Sequence, residues 1–233
     1  MIEQGVLQKY KYLLFDADDT LLDFKAAEDT ALKTVLKNNN LPYDDETVKT
    51  YSKINQKYWK AFEKGEIERD EIFPLRFGEF LGVLGSNLEP MAINAQYFEA
   101  LRQVHTMLPD ADELIDYIVG KYKLYIVTNG VAKTQHLRLK QSGIWDKFDG
   151  VFISEELECQ KPSVEYFTKV LEAIGNPPKS ECLVLGDSIS SDILGGKNIG
   201  IDTVWVNVRD LKNFTDITPD YTVTNLKDLK KML

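Results

Sequence analysis

The spacing of apolar residues divides the chain into two kinds of segment. A short apolar run at residues 12–15 is followed by a long region in which apolar residues recur at helical spacing. This pattern covers residues 24–35, 48–62, 73–84 and 93–104, with helix-breaking residues at 38–42 and 85–90. Because compact domains rarely contain a structureless loop of such length, we predict an inserted all-helical domain.

From residue 109 onward, short apolar runs alternate with amphipathic segments. The predicted strands lie at residues 124–127, 151–153, 183–185 and 203–206, and the predicted helices near 112–119, 133–141, 164–174, 192–197 and 226–233. The strands are apolar and rich in β-branched residues, as in strands buried on both faces. The alternation predicts an α/β fold with a Rossmann-like parallel sheet and right-handed crossovers. We assign residues 1–21 and 106–233 to this core, and residues 22–105 to the helical insertion.

Polar residues follow several predicted strands at the point where each strand ends. In an open parallel sheet, ligands bind beyond the carboxyl ends of the strands, so these residues are candidates for one common site. They are Asp16-Ala17-Asp18-Asp19-Thr20, Thr128-Asn129-Gly130 and Gly186-Asp187-Ser188, with Lys161 following the strand at 151–153.

The acidic residues after the first strand are candidate metal ligands. Asp16 and Asp18 point in roughly the same direction if the backbone is extended, and their charges repel each other unless a cation is present. Considered alone, the cluster is explained as well by an acidic surface turn, or by a helix N-cap at Asp19, as by a metal site. Asp187, at the end of another strand, adds a further carboxylate. Convergent carboxylates suit Mg²⁺, which prefers oxygen ligands.

Three further positions are candidates for binding a phosphate group. The Thr128 hydroxyl and the Asn129 backbone N–H can hold phosphate oxygens near a helix N-terminus, although Asn129 would serve equally as a plain N-cap. Considered alone, Lys161 is best interpreted as an ordinary solvated lysine. Together with Thr128 and Asn129, it is a candidate positive charge for binding a phosphoryl group. Asp192 either orients Lys161 or the waters of the metal, or begins a helix.

Composition narrows the classes of partner. The 233 residues carry a net charge of -9, which disfavours a nucleic-acid polymer or an anionic membrane as a partner. We find no apolar run of about 18 residues and no signal-peptide pattern. Two cysteines, Cys159 and Cys182, are too few for a disulfide framework. We therefore expect a reduced, cytoplasmic protein, monomeric or dimeric, that acts on a small molecule.

Four motifs, in their order along the chain, resemble those of the haloacid dehalogenase superfamily of aspartyl-phosphate hydrolases. The resemblance spans the chain, and the helical insertion is similar to the C1-type cap of that superfamily. The run from Leu14 to Leu21 resembles the pyrimidine 5′-nucleotidases, because Asp19 stands where the commoner pattern has glycine. The motifs are Asp16-Ala17-Asp18-Asp19-Thr20, Thr128, Lys161-Pro162, and Gly186-Asp187-Ser188 through Asp192.

The resemblance implies a role for each matched residue. Asp16 would attack phosphorus and form an aspartyl-phosphate, while Asp18 would protonate the leaving oxygen and then activate water. The implied Mg²⁺ ligands are Asp16, the Asp18 backbone carbonyl and Asp187, and the implied phosphoryl ligands are Thr128, Asn129 and Lys161. Asp192 would have a supporting role. The implied substrates are pyrimidine nucleoside monophosphates, namely UMP, dUMP, dTMP and noncanonical analogues.

Other activities on the same core remain as alternatives. A sugar-phosphate phosphatase or a hexose-phosphate mutase would share the motifs and differ in the insertion. Asp18 argues against a haloacid dehalogenase, which usually carries a non-acidic residue there. A phosphonatase would need an inserted-domain lysine, but Lys57, Lys60 and Lys64 are expected on a solvated helix face. A non-catalytic binding or regulatory protein is a further alternative, and the loss of Asp16 or Asp18 would have supported it.

Arg76 is the candidate substrate contact in the helical insertion. It is flanked by Phe73, Phe77 and Phe80, so the guanidinium could meet a base or sugar edge and the rings could stack on a base. The competing interpretation is that an aromatic stripe at helical spacing forms the core of the insertion.

Overall fold

The computed structural model describes residues 4–233, which form two compact units. One unit joins the chain up to Asp23 with the chain from Thr106 onward, and the other is Phe24–His105. The predicted division after residue 21 therefore lies two residues earlier than the observed one. Leu22 forms a β-bridge with Met107, and the Asp23 N–H donates to the Thr106 carbonyl at 2.9 Å. These contacts are why both residues belong to the first unit.

A six-stranded sheet, parallel throughout, forms the centre of the first unit. Its order is β3-β2-β1-β4-β5-β6, which confirms the predicted α/β class. The sequence pattern missed β6, a strand of three residues at the sheet edge in which only Val223 is buried, so it lacks the continuous apolar run of the other strands. The strands are β1 (Tyr12–Phe15), β2 (Lys123–Thr128), β3 (Gly150–Ile153), β4 (Cys182–Gly186), β5 (Asp202–Val206) and β6 (Tyr221–Val223).

The sheet is buried on both faces, which explains its continuous apolar strands. Leu13 and Phe15 of β1 pack in one hydrophobic cluster, while Leu14 packs in the other. Helices cover these faces and connect the strands. They are α5 (Ala111–Ile118), α6 (Ala132–Gln141), α7 (Ser154–Leu157), α8 (Val164–Ala173), α9 (Leu194–Ile199) and α10 (Leu226–Met232), which follow α1 to α4 of the second unit.

The strand register brings the motif-bearing ends level. Phe15 is paired with Ile126 of β2 and with Leu185 of β4. The next residue, Asp16, donates its backbone N–H to the Leu185 carbonyl at 2.8 Å. The chain turns to opposite sides of β1 for β2 and β4, so these ends form a topological switch point, where ligands bind in such sheets.

The second unit contains the four helices that the apolar spacing predicts. Tyr51, Phe77, Phe80 and Tyr97 form its buried aromatic core, with ring centroids of contacting pairs 5.1 to 5.6 Å apart. No helix among residues 4–233 is both long enough and apolar enough to cross a membrane. The four helices are α1 (Phe24–Asn38), α2 (Asp45–Glu63), α3 (Arg69–Val83) and α4 (Pro90–Arg102).

Arg76 lies inside this helical unit, with 1% of its surface exposed. Its guanidinium donates to Asn55 Oδ1 at 2.8 Å and to Asn94 Oδ1 at 2.7 Å. The same group lies within about 5.5 Å of the ring centroids of Phe73, Phe77, Tyr97 and Phe98. These contacts favour the interpretation of the aromatic stripe as core, and Arg76 has no part in the function proposed below.

Candidate active site

Lys161 lies at the centre of the site, fully buried beneath the ends of β1 and β2. Its ammonium group donates to Asp16 Oδ1 and Asp192 Oδ1, both at 2.6 Å, and to the Val127 carbonyl at 2.8 Å. An ammonium group has three hydrogens, and these three acceptors use all of them. Three predicted site residues that are far apart in the sequence therefore form one buried ionic cluster.

The charges of this cluster influence one another strongly. Burial raises the pKa of Asp16 to about 8, with Asp192 and Asp18 adding to the effect and Lys161 opposing it. Burial alone lowers the pKa of Lys161, but Asp16 and Asp192 raise it above its ordinary value. Lys161 therefore stays protonated and holds a positive charge against Asp16.

Asp192 is fixed by the turn in which it lies. Its Oδ2 accepts the Ser188 backbone N–H at 3.1 Å, while Oδ1 accepts from Lys161. The turn is a π-helical segment, Ile189–Ile193, that begins directly after Ser188. A Cβ atom on Gly186 would lie 2.1 Å from Asp192 Cγ, so only glycine leaves room for this carboxylate. The structure thus places Asp192 in contact with Lys161, as the first of the three predicted alternatives requires.

Asp187 completes a group of acidic oxygens. One carboxylate oxygen each from Asp16, Asp187 and Asp192 lies within 4.8 Å of the other two. Burial, Asp16 and Asp192 raise the pKa of Asp187 well above its ordinary value. Trp205 Nε1 donates to the Asp187 carbonyl at 2.8 Å and so fixes this strand end.

The geometry of these oxygens fits a divalent cation. Three like charges that converge at the edge of a sheet repel one another, and a cation relieves that repulsion. Both oxygens of Asp192 already accept protein donors, which leaves Asp16 and Asp187 as the side chains best suited to ligation. Carboxylate oxygens are the ligands that Mg²⁺ prefers in proteins.

Thr128, the last residue of β2, has its hydroxyl fixed by two donors. Its Oγ1 accepts the Gly130 backbone N–H at 3.1 Å and the Gln135 Nε2 amide at 2.8 Å. A hydroxyl has two acceptor positions and one hydrogen. Since both acceptor positions are used, the hydroxyl can offer a ligand only its hydrogen, which suits a phosphate oxygen.

Asn129 connects the end of β2 to the backbone of Lys161. Its Nδ2 donates to the Lys161 carbonyl and its Oδ1 accepts the Lys161 N–H, both at 2.9 Å. The alternative that Asn129 is a plain N-cap is wrong, because Val131 is the N-cap residue of α6. The Asn129 side chain therefore positions Lys161, and its backbone N–H is the group that remains a predicted phosphate donor.

Asp18 is held by two residues that the sequence pattern did not reveal. Gln135 Nε2 donates to Asp18 Oδ2 at 2.8 Å, and Arg138 Nη1 forms an ion pair with Asp18 Oδ1. Arg138 is fully buried and Gln135 is 1% exposed. A glutamine and an arginine three residues apart, on a helix that follows a site motif, were the available signal, because that spacing places both on one helix face.

Asp19 has a backbone conformation that explains why glycine is commoner at this position. Its φ is +56°, in the left-handed region that glycine adopts without steric cost. Its carboxylate pairs with Arg209 Nη2 at 2.5 Å, and the same nitrogen lies 2.9 Å from Asp23 Oδ1. Asp19 is not the N-cap of α1, which begins at Phe24.

Comparisons with known proteins agree with this arrangement. The sequence profile of the haloacid dehalogenase-like hydrolases matches residues 10–200. The chain is 38% identical to the pyrimidine 5′-nucleotidase PynA of Streptococcus pneumoniae, over 94% of this chain and 93% of PynA. It is 34% identical to the pyrimidine 5′-nucleotidase YjjG of Escherichia coli, over 97% of this chain and 98% of YjjG.

A solved structure shows the same fold at a similar level of identity. The HAD-hydrolase YfnB of Bacillus subtilis is 38% identical over 97% of each chain. Its crystal structure, bound to magnesium and described as revealing interdomain movement, superimposes with a TM-score of 0.90. That superposition covers 94% of this chain and 96% of the YfnB chain.

Proposed function

This chain belongs to the haloacid dehalogenase-like hydrolases, and we propose that it is a magnesium-dependent phosphatase of pyrimidine nucleoside monophosphates. The observation that carries the proposal is the buried contact of Asp16 with Lys161, beside Asp187 and at the ends of β1 and β4. A buried carboxylate with a fixed cation against one oxygen is suited to nucleophilic attack on a phosphate ester. The profile match confirms the resemblance at the family level, and we propose the substrate class in addition.

In the first half of the reaction, Asp16 is the nucleophile. Lys161 holds Oδ1 of Asp16, so Oδ2 is the oxygen that attacks phosphorus. The bond between phosphorus and the leaving oxygen breaks, and Asp18 gives that oxygen a proton. Lys161 supplies positive charge, while the Thr128 hydroxyl and the Asn129 N–H bind the phosphoryl oxygens.

In the second half, water hydrolyses the aspartyl-phosphate. The water oxygen attacks phosphorus, the bond from phosphorus to Asp16 breaks, and Asp18 takes the proton from the water. Inorganic phosphate leaves, and Asp16 is a free carboxylate again. Asp18 now carries the proton that the next leaving group needs.

Asp16, Asp187 and the backbone carbonyl of Asp18 would hold the Mg²⁺. A bound Mg²⁺ would offset the negative charge of the phosphoryl group during transfer. The magnesium-bound structure of YfnB supports this assignment, as does the convergence of acidic oxygens within 4.8 Å in this chain. Asp192 would act through Lys161.

The names of two relatives support a nucleotide substrate. PynA and YjjG are both pyrimidine 5′-nucleotidases, and each is matched over more than nine-tenths of its length. Asp19 provides a second indication from the sequence, because it stands where the commoner motif has glycine, as in the pyrimidine 5′-nucleotidases that the run from Leu14 to Leu21 resembles. Asp18 distinguishes this activity from haloacid dehalogenation, which requires no proton donor at that position.

A panel of phosphate esters tests the proposal. We expect UMP, dUMP and dTMP to release phosphate faster than hexose phosphates do, and Asp16→Asn to lose at least about 10³-fold in kcat because the nucleophile is gone. Released phosphate is the readout, and thermal unfolding of Asp16→Asn is the control for folding. Faster turnover of hexose phosphates would reject the substrate class, whereas an active Asp16→Asn would reject the mechanism.

A further inference from the structure

Arg138 and Gln135, both on α6, form a buried polar support for Asp18. A guanidinium group that is removed from water is costly unless it is paired, so its burial here depends on its partners. Arg138 Nη1 pairs with Asp18 Oδ1 and donates to Gln135 Oε1 at 3.3 Å. The two side chains therefore support each other as well as Asp18.

The amide of Gln135 joins Asp18 to Thr128. Its Nε2 donates to Asp18 Oδ2 and to Thr128 Oγ1, both at 2.8 Å. The amide cannot turn over without losing these two contacts and the one that Oε1 makes with Arg138. A Cβ atom on Gly130 would lie 2.5 Å from Gln135 Nε2, so glycine at that position is required for the bridge.

These contacts fix the carboxylate of Asp18 in one orientation. Each of its oxygens accepts from a different side chain, so rotation of the carboxylate about the Cβ–Cγ bond breaks the contact with Gln135 or with Arg138. An ionised carboxylate has about four acceptor positions, and those that remain can accept a proton from water. Donors on both oxygens suit a carboxylate that acts as an acceptor, which is the role Asp18 has in the second half-reaction.

We infer that Gln135 and Arg138 are positioning residues that hold Asp18 as the base for hydrolysis of the aspartyl-phosphate. The inference rests on the proposed function, since it needs phosphate on Asp16. In the step concerned, water forms a bond to phosphorus, the phosphorus bond to Asp16 breaks, and the water proton moves to Asp18. Attack on the substrate by Asp16 needs no base, so loss of the support slows the second half-reaction more than the first.

The experiment separates the two half-reactions with p-nitrophenyl phosphate. Its leaving group is stable as an anion, so formation of the phosphoenzyme depends little on a proton from Asp18. The full chain, in the presence of Mg²⁺, is mixed rapidly with this ester, and the burst of p-nitrophenol is measured. Acid quenching of the same reaction measures protein-bound phosphate. The variants are Arg138→Met and Gln135→Met, with Gly130→Ala as an indirect means of displacing Gln135.

We expect steady turnover in these variants to fall by about 10- to 100-fold, because they displace a base worth about 10²- to 10⁴-fold without removing it. The burst rate should change far less, and the fraction of enzyme carrying phosphate should rise toward that of Asp18→Asn. Thr134→Val, a change to another buried polar side chain of α6, is the matched control and should resemble the wild type.

Equal slowing of the burst and of steady turnover, with no rise in bound phosphate, would overturn the inference and leave only a structural role. If Arg138→Met does not fold, Gln135→Met and Gly130→Ala decide the question. Hydrolysis without any phosphate on Asp16, even in Asp18→Asn, would instead refute the proposed function, and the inference would fail with it. The two failures are thus distinguishable.

Discussion

At the scale of single residues, Asp19 combines an unfavourable backbone conformation with a favourable ion pair. A left-handed conformation costs a residue with a side chain about 1 kcal/mol more than it costs glycine. The pair with Arg209 is partly exposed, so it offsets about 0.5 to 1 kcal/mol of this cost. The stability of the folded protein should therefore depend more on Arg209 when residue 19 is aspartate than when it is glycine.

A double-mutant cycle tests this dependence. Arg209→Met should lower the free energy of unfolding by about 1 kcal/mol, and by about half of that in an Asp19→Gly background, where only the Asp23 contact is lost. Urea unfolding measures each value. Lys49→Met, which breaks an exposed helical pair with Glu46, is the control and should change stability by no more than a few tenths of that amount. Equal losses in both backgrounds would show that Arg209 does not compensate for Asp19.

At the scale of elements, the connection from β4 to α9 determines the position of the site lysine. Gly186 ends the strand, the π-helical segment Ile189–Ile193 follows, and Asp192 returns to contact both the Ser188 N–H and Lys161. This connection requires glycine at position 186, because a Cβ atom there would clash with the Asp192 carboxylate. A side chain added at Gly186 in β4 should therefore disturb the buried ion pair between Asp192 and Lys161.

Gly186→Ala is expected to be costly for this reason. The added Cβ displaces Asp192 and leaves Lys161 with a weakened partner, which should destabilise the protein by about 3 kcal/mol and reduce kcat. Gly196→Ala is the matched control, since its Cβ would meet Thr203 Cγ2 at 2.4 Å, where no proposed site residue is contacted. It should also destabilise, but activity per folded molecule should persist. Thermal unfolding and phosphate release measure the two effects, and full activity in Gly186→Ala would contradict the argument.

At the scale of the whole molecule, the acidic group connects metal binding to stability. Asp16, Asp187 and Asp192 converge in a chain that is already strongly acidic, so the metal-free protein carries a local repulsion. A cation that binds the folded state alone stabilises it by mass action, by about 2.7 kcal/mol at a concentration 100 times Kd.

Magnesium should therefore raise the unfolding temperature of the wild type and leave that of Asp187→Asn almost unchanged. Asp187→Asn should also be more stable than the wild type without metal, by about 1 kcal/mol, because one of the repelling charges is gone. Calorimetric unfolding in EDTA and in excess Mg²⁺ measures both effects, and EDTA should abolish phosphate release by the wild type. The same Mg²⁺ shift in both proteins would place the metal elsewhere.

The predictable part of the fold follows from local patterns. Five strands of the sheet agree with the short apolar runs of the sequence, because a strand buried on both faces is apolar throughout. The four helices of the second unit agree with the helical spacing of apolar residues, because each helix buries one face. The short edge strand Tyr221–Val223 and the π-helical segment Ile189–Ile193 show neither pattern. Their form depends on neighbours that are distant in the sequence, such as the pairing of β6 with β5.

The strand pattern alone predicts which residues stand at the ends of the strands, and hence the acidic and phosphate-binding candidates. Asp16, Asp187 and Lys161 follow from the strand pattern, since parallel strands end at one edge. Contacts between distant parts of the folded chain are needed to show that Lys161 donates its three hydrogens to Asp16, Asp192 and Val127. The same holds for the contacts by which Arg138 and Gln135 hold Asp18. The strength of an ionic contact depends on the burial and the partners of each charged group, and three-dimensional packing sets both.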